Sequence, residues 1–233
     1  MAEVDVRIKV ETPLHLGSGQ ADVNLDAEIV HDAFGLPYFP AKRFKGLLYE
    51  SALEIFEMFE LSGISTKNLI EPEKLFHRFS DDDGNVEDVQ VIVPNFYIRP
   101  FEEYQKICED WNYLQNKYKE IFHPSDVLKR FTSIRYQTQL ENGVAITGSL
   151  HNLNVLNAGI EFFGKITGIE FFGKIILVNE SRNVVNLIAL ALKNLKSAGT
   201  KRNRGFGRIT CAANFENSDT VETVIKKFFA KEV

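Results

Sequence analysis

An α+β fold is what this sequence predicts, and three features predict it. A strand pattern opens the chain, a second lies near its end, and amphipathic helical patterns fill much of the space between. The opening strand is the clearest. Val4, Val6, Ile8 and Val10 alternate with Asp5, Arg7 and Lys9, so one face is apolar and the other charged. Thr12-Pro13 ends it. A loop runs from Gly17-Ser18-Gly19-Gln20 to about Glu28, and Ile29-Val30 reads as a short strand. Phe34-Gly35-Leu36-Pro37 reads as a turn.

A helix is expected over about 42–59, where Phe44, Leu47, Leu48, Ala52, Ile55, Phe56 and Phe59 recur at three- and four-residue spacing. Residues 61 to about 130 are less regular and are punctuated by prolines 72, 94, 100 and 124. This region reads as an insertion packed on the core, with a helix over 102–122 carrying Trp111, Leu114 and Tyr118 on one side. Trp111, Tyr113 and Tyr118 have the chemistry to stack bases, but helical spacing assigns them to core. Residues 133–154 predict a long hairpin with Glu141-Asn142-Gly143 at its tip, since Asn-Gly favours the tight turn of a hairpin. An octapeptide, Gly159 to Ile166, recurs letter for letter as Gly168 to Ile175, with Thr167 between. Two strands paired about Thr167-Gly168 are expected. A helix over 183–198, a strand over 208–215 and a terminal helix over 221–230 complete the chain.

Composition narrows the class. The 233 residues suffice for one large domain or two small ones, and 44% hydrophobic with 25% charged is ordinary for a globular protein. No apolar run approaches the roughly 20 residues that span a bilayer. The first residues lack a basic start followed by an apolar core. Cys108 and Cys211 have no metal-ligand spacing, so a reduced, cytoplasmic setting is expected. Five histidines are scattered singly. The run Asp81-Asp82-Asp83-Gly84 reaches its glycine too early for a calcium loop and reads as an acidic turn. The net charge is −5, yet base concentrates at Lys42-Arg43-Phe44-Lys45, Lys129-Arg130, Arg135 and 193–208. A basic groove on an acidic chain fits that distribution.

The run 199–208, Gly-Thr-Lys-Arg-Asn-Arg-Gly-Phe-Gly-Arg, is the most distinctive. It holds three glycines, one aromatic and four basic residues in ten positions. Glycines let a backbone turn sharply and approach a ligand closely, and successive N–H groups in such a turn can cradle an anion. Lys201, Arg202 and Arg204 beside them suit a phosphate backbone. On its own the run also reads as a helix cap followed by a solvated basic turn.

Together with two other motifs it resembles the RAMP superfamily of CRISPR-associated proteins. One motif is Thr12-Pro13-Leu14-His15-Leu16-Gly17-Ser18-Gly19, continuing to Gly35-Leu36-Pro37-Tyr38-Phe39-Pro40-Ala41-Lys42-Arg43-Phe44-Lys45-Gly46. The other is Arg135-Tyr136-Gln137-Thr138-Gln139 with Gly143-Val144-Ala145 and Gly148-Ser149-Leu150. The likeness spans most of the chain as one RAMP domain, 1–233, and is weakest across 61–130. It implies a ferredoxin-like, RRM-like core with a helical insertion and a thumb-like β-hairpin. Within the family the chain looks most like the repeating backbone subunit of type III effector complexes. That implies guide RNA, target RNA, other effector subunits and further copies of the chain as partners. By the resemblance, Lys42, Arg43 and Lys45 at the helix entry, Arg135, and Lys201, Arg202, Arg204, Gly205, Phe206 and Gly207 in the loop hold RNA.

The resemblance also implies a catalytic, metal-holding aspartate, Asp26, six residues ahead of Asp32. Family members often place Asn-Pro after it, where this chain has Ala27-Glu28. Mg²⁺ or another divalent metal suits one carboxylate plus a scissile phosphate. Asp22 and Glu28 are competing acids in the same loop, and His15 and His31 flank it as candidate bases for metal-free cleavage. Two other functions stay open: a guide-RNA-processing endoribonuclease of the same superfamily, and a non-catalytic subunit that only holds RNA.

Overall fold

The predicted N-terminal strand lies inside the sheet, paired on both edges. The computed structural model describes residues 2–19, 27–76, 91–158, 160–162, 165–167, 170–177, 181–215 and 219–230. The first half holds β1 (Ala2–Val10), β2 (Tyr38–Phe39), α1 (Ala41–Ser62), α2 (Pro72–Phe76), β3 (Val91–Ile92), β4 (Phe96–Tyr97) and α3 (Phe101–Lys117). Then come α4 (Pro124–Phe131), β5 (Thr132–Gln137), β6 (Leu140–Glu141), β7 (Val144–Ala145) and β8 (His151–Leu156). The rest is β9 (Ile160–Phe162), β10 (Lys165–Thr167), β11 (Glu170–Leu177), α5 (Arg182–Asn194), β12 (Ile209–Asn214) and α6 (Val221–Phe229). The main sheet runs β12-β1-β11-β4-β2, with β3 also on β11. Mixed sheet and helix is therefore the architecture.

Alternation decides which face of the sheet is covered. Val4, Val6, Ile8 and Val10 of β1 and Ile209, Cys211 and Ala213 of β12 join one core with α1, α5 and α6. Helix α5 is buried nearly all round, from Val184 to Leu192, which includes Ala189 and Leu190 beyond the single face that its spacing predicts. It lies between α1 and α6, and Ser51 of α1 donates to the Ala191 carbonyl at 2.8 Å to close that seam. Ser181 caps α5 by accepting from the Val184 N–H. The helix expected to reach residue 198 stops at Asn194, because 195–198 turn away to pair with the far end of the glycine-rich run. The Ala198 N–H donates to the Gly207 carbonyl, and the Ile209 N–H to the Lys196 carbonyl.

The region 61–130 does more than pack on the core, since its strands β3 and β4 extend the main sheet through β11. Helix α3 ends at Lys117, short of the predicted 122. A smaller cluster forms there around Leu36, Tyr104 and Val127, with Trp111 against it. Tyr113 and Tyr118 are exposed, not core, and both hold the Lys117 ammonium over their rings. Asp32 ties this cluster to the N-terminal region. Its Oδ1 accepts the Phe34 and Leu36 N–H groups at 2.8 Å each, and its Oδ2 accepts the Tyr104 hydroxyl at 2.5 Å. Among the described residues no helix is long and apolar enough to cross a membrane.

The hairpin over 133–154 is present. β5 and β8 pair from Thr132 with Leu156 to Gln137 with His151, and β6 and β7 pair beyond them. Asn142 (φ 50°) and Gly143 (φ 82°) make its tip with two left-handed residues, as the Asn-Gly signal requires. The octapeptide departs from expectation. Among the described residues the two copies do not pair with each other. The first supplies β9 and β10, paired Phe162 with Lys165, while the second runs into β11 at the centre of the sheet. In that second copy Gly173 is required: a Cβ there would lie 2.6 Å from the Phe96 ring, which is fully buried. The acidic run 81–88 lies outside the described residues.

Gly173→Ala should destabilise the fold by about 1–3 kcal/mol through overpacking. Combining it with Phe96→Leu should cost less than the sum of the two single changes. Denaturant titration of the three variants measures this, and strict additivity would refute the contact.

Candidate nucleic-acid interface

The two glycine-bearing motifs predicted from opposite ends of the chain are joined by backbone hydrogen bonds. The Gly207 N–H donates to the Pro13 carbonyl at 2.8 Å, and the Thr200 N–H to the His15 carbonyl at 3.2 Å. The Thr12 hydroxyl accepts the Arg208 N–H at 2.9 Å. Close approach is possible because Cβ atoms are missing. A Cβ on Gly199 would lie 2.4 Å from the His15 carbonyl oxygen, and one on Gly207 would lie 2.0 Å from that of Ala198. Gly199, Gly205 and Gly207 all have φ near +75° to +79°, and Lys201 joins them at 61°. Between them Arg202–Arg204 forms one 3-10 turn.

On its other side the same N-terminal segment pairs with the hairpin base. Leu14 and Leu156 exchange two backbone hydrogen bonds. His15, 6% exposed, donates from Nδ1 to the Asn154 carbonyl at 2.6 Å. A carbonyl only accepts, so this bond puts the proton of the neutral ring on Nδ1 and leaves Nε2 as the acceptor. Burial is the main cause that pushes the His15 pKa below its ordinary value, the Asn154 bond opposes it, and the Lys201 and Arg43 charges add to the lowering.

Helix α1 begins at this junction. Its N-cap is Pro40, whose ring offers no cap; Asn95 Oδ1 accepts the Ala41 N–H at 2.8 Å instead, and the first turn carries no acid. An N-terminus of that kind carries partial positive charge, and Lys42 and Arg43 add two formal charges to it. A pocket of about 340 Å³ opens here, lined by His15, Gly17, Lys42, Arg43, Gly199 and Thr200 among others. Arg43 donates to the Gly17 carbonyl. Lys201 reaches across to the side-chain oxygen of Gln137 on the hairpin, and partial burial followed by the neighbouring Arg204 charge lowers its pKa. Arg202 approaches Glu50 of α1 at 3.9 Å.

The structure thus gathers Lys42, Arg43, Lys201 and Arg202 about one junction. Arg135 is exposed on β5, two residues from Gln137 and so on the same face of that strand. Arg204 and Gly205 are exposed on the outer side of the loop, Phe206 is half-buried and Gly207 is buried. Lys45 is half-buried and does not line the pocket. Gln137, Asn154 and Glu50 belong to the site as well. Polar residues without a glycine or charge cluster beside them gave no individual signal in the sequence.

Asp26 and Asp22 lie outside the described residues. The stem of their loop is described. The Ser18 N–H donates to the Glu28 carbonyl, the Val30 N–H to that of Leu16, and Asn154 of β8 to that of Ala27. The expected strand at Ile29-Val30 is a single bridge, Gly17 to Ile29. On the stem, Glu28 Oε1 stands 3.7 Å from His31 Nε2. Among the described residues no three His, Cys, Asp or Glu side chains converge on a metal position.

Residues 7–210 match the family model of the RAMP superfamily. The fold is similar to a chain in a cryo-EM structure of the type III-B Cmr-beta bound to cognate target RNA. That likeness has a TM-score of 0.56 at 15% identity, over 96% of this chain and 98% of that one. It is also similar to a chain of the type III-B Cmr-beta in the apo state, with a TM-score of 0.58 at 15% identity, over 92% and 97%. No curated protein matches the sequence.

Gly207→Ala should lower stability by more than 2 kcal/mol, because it meets both a left-handed φ and a backbone oxygen. Gly205→Ala, with the same φ and open space, should cost only about 1 kcal/mol. Thermal melts of the two variants compare them directly. His15 makes a second prediction. The unfolded chain, with histidine near 6.5, binds a proton more readily than the folded chain. Its contribution is therefore full above that pH and is lost as pH falls below it. Wild type should lose more melting temperature than His15→Gln between about pH 7 and pH 5. Equal losses would remove His15 as the cause.

Proposed function

Because this chain belongs to the RAMP superfamily, we propose that it is an RNA-holding backbone subunit of a type III CRISPR effector complex, which also cuts target RNA. The observation that carries the reading is the hydrogen-bonded union of 12–17 with 199–208 at the basic N-terminus of α1. Phosphates of a guide RNA would meet Lys42 and Arg43 there, and Lys201, Arg202 and Arg204 along the loop. Lys45 would lie alongside on α1, and the N–H groups of Gly205 and Phe206 would offer uncharged donors.

In this reading the sheet is the ferredoxin-like core and 133–154 is the thumb, with Arg135 on the strand that Lys201 grips. The hairpin presents Ile134, Tyr136, Leu140, Val144 and Leu150 to solvent, a row of exposed apolar groups suited to unstacked bases or a neighbouring copy. Asp26 is proposed as the catalytic acid. Its loop leaves the core at Gly17–Ile29 and is fastened to the hairpin base through Ala27 and Asn154, so target and guide would meet on one side of the subunit. A divalent ion held by Asp26 would polarise the scissile phosphate and favour ionisation of the attacking 2′-hydroxyl. The chain's own residues hold the guide and set the position of that loop. Guide RNA, target RNA, other effector subunits and further copies of the chain are the partners, in a reducing cytoplasm.

The assembled complex with guide RNA, Mg²⁺ and labelled target should give cuts at regular intervals, lost in Asp26→Ala while guide binding persists. Intact target with wild type would leave a scaffold only. Chelator-insensitive cutting of a precursor guide by the isolated chain would identify a processing enzyme.

A further inference from the structure

The sheet face turned away from α1, α5 and α6 carries a second cleft, of about 710 Å³, which shares no lining residue with the pocket at α1. That volume lies within the range of pockets that enclose a small organic ligand. Alternate residues of three strands form its floor. One register row places Asn214, Asp5 and Lys174 side by side, so an acid and a base neighbour each other. The next row runs Ala212, Arg7, Phe172, Tyr97, Tyr38 across five strands and contains no acid. Arg7 gives it positive charge, and Ala212, Tyr97 and Tyr38 are its other described side chains.

The wall of the cleft is the turn from Pro94 to Phe101. Tyr97 is clamped there, its ring centroid 4.1 Å from that of Tyr104 and 5.9 Å from that of Phe101. Phe101 is 57% exposed although it opens a helix and borders an apolar cleft. A rigid aromatic cluster with one open ring, flanked by Arg7 and Lys174, offers what a nucleotide needs: a face for the base and cations for the phosphate. Asn214 stands at the rim with an amide group suited to a base edge, while Asn95 Oδ1 is engaged by the Ala41 N–H and leaves only its NH₂ to donate. A peptide burying an apolar face would instead desolvate Arg7 and Lys174 without offering them an anion, whereas an RNA phosphate can offset that cost by pairing with them.

We propose that this cleft binds single-stranded RNA, with one base stacked on Phe101 beside Tyr97 and its phosphate toward Arg7 and Lys174. The site is independent of the guide-holding reading, since it shares none of its residues. It gives the subunit a second, sequence-tolerant hold on RNA, on the sheet face that the helices leave open.

The full-length chain, without guide, is irradiated with iodouridine-substituted oligouridine, and the adducts are mapped by mass spectrometry. Adducts are expected at Tyr97 or Phe101, and they should survive Lys201→Ala and Arg202→Ala, which cripple only the loop. By fluorescence anisotropy in the Lys201→Ala/Arg202→Ala background, which weakens the loop site, Phe101→Ala should weaken oligouridine binding about tenfold, with Phe101→Trp close to that background. Phe101 is largely exposed, so unchanged thermal melts are expected for both variants. Adducts confined to 199–208 or to the hairpin would overturn the proposal, as would unchanged affinity on adding Phe101→Ala to the Lys201→Ala/Arg202→Ala background. Competition by free uridine monophosphate as strong as by the oligomer would replace it with a mononucleotide site. Loss of self-association in Phe101→Ala, with RNA affinity unchanged, would replace it with a protein contact.

Discussion

The structure depends on how residues 12–16 are held on both sides at once. One side gives hydrogen bonds to the base of the hairpin, through Leu14 with Leu156 and His15 with Asn154. The other takes them from the glycine-rich run, through Gly207 to Pro13 and Thr200 to His15. A chain segment buried like this, with Leu14, His15 and Leu16 all inside, must satisfy its backbone groups internally. On the loop side the chains pass so close that a Cβ would strike a backbone oxygen, which is why Gly199 and Gly207 are where they are. Remove that close packing and three things separate: the hairpin, the basic loop and the entry to α1.

This arrangement explains why some of the fold was legible in the sequence and some was not. Local rules sufficed where local rules decide. β1 declared itself by alternation, α1 by spacing, and the hairpin tip by Asn142-Gly143, whose left-handed angles are the reason the signal exists. The end of α5 was misjudged because a longer-range pairing outbid helix continuation after Asn194. Tyr113 and Tyr118 were assigned to core on periodicity alone, but α3 has a neighbour on only one side, so they stay in solvent with Lys117. For the site, the charged loop and helix entry were readable because glycine and base stand together. Gln137 and Asn154 were not readable as partners, because what matters about them is where the hairpin puts them.

The duplicated octapeptide makes the same point with the composition held constant. One copy gives two short strands paired with each other, and its twin runs into the central strand β11. No propensity scale can separate identical letters, so the difference lies entirely in what each copy meets. β11 has β1 along one edge and β3 and β4 along the other, and its glycine, Gly173, admits the Phe96 ring. Asp32 is a parallel case at the level of one residue. The sequence offers it as the second of two spaced aspartates in a loop with candidate catalytic acids. In the fold both its oxygens are occupied, by two backbone N–H groups and the Tyr104 hydroxyl, which makes it a fastener for α3.

Charge is the remaining constraint. The chain carries −5 overall, yet Lys42, Arg43, Lys201 and Arg202 crowd about one junction. Like charges at close range repel, and a protonated His15 among them would add another. The fold answers by burying that ring, which favours its neutral form, and by giving two of the cations uncharged acceptors, the Gly17 carbonyl for Arg43 and the Gln137 side chain for Lys201. Neutral acceptors orient a cation without cancelling its charge, whereas a carboxylate would do both. Among the described residues only Arg202 of these four faces an acid, Glu50, and at 3.9 Å that pairing is loose and exposed, worth little in water. The junction is therefore held in shape while its positive field stays directed outward, the condition a surface must meet if a polyanion is to supply the missing charge.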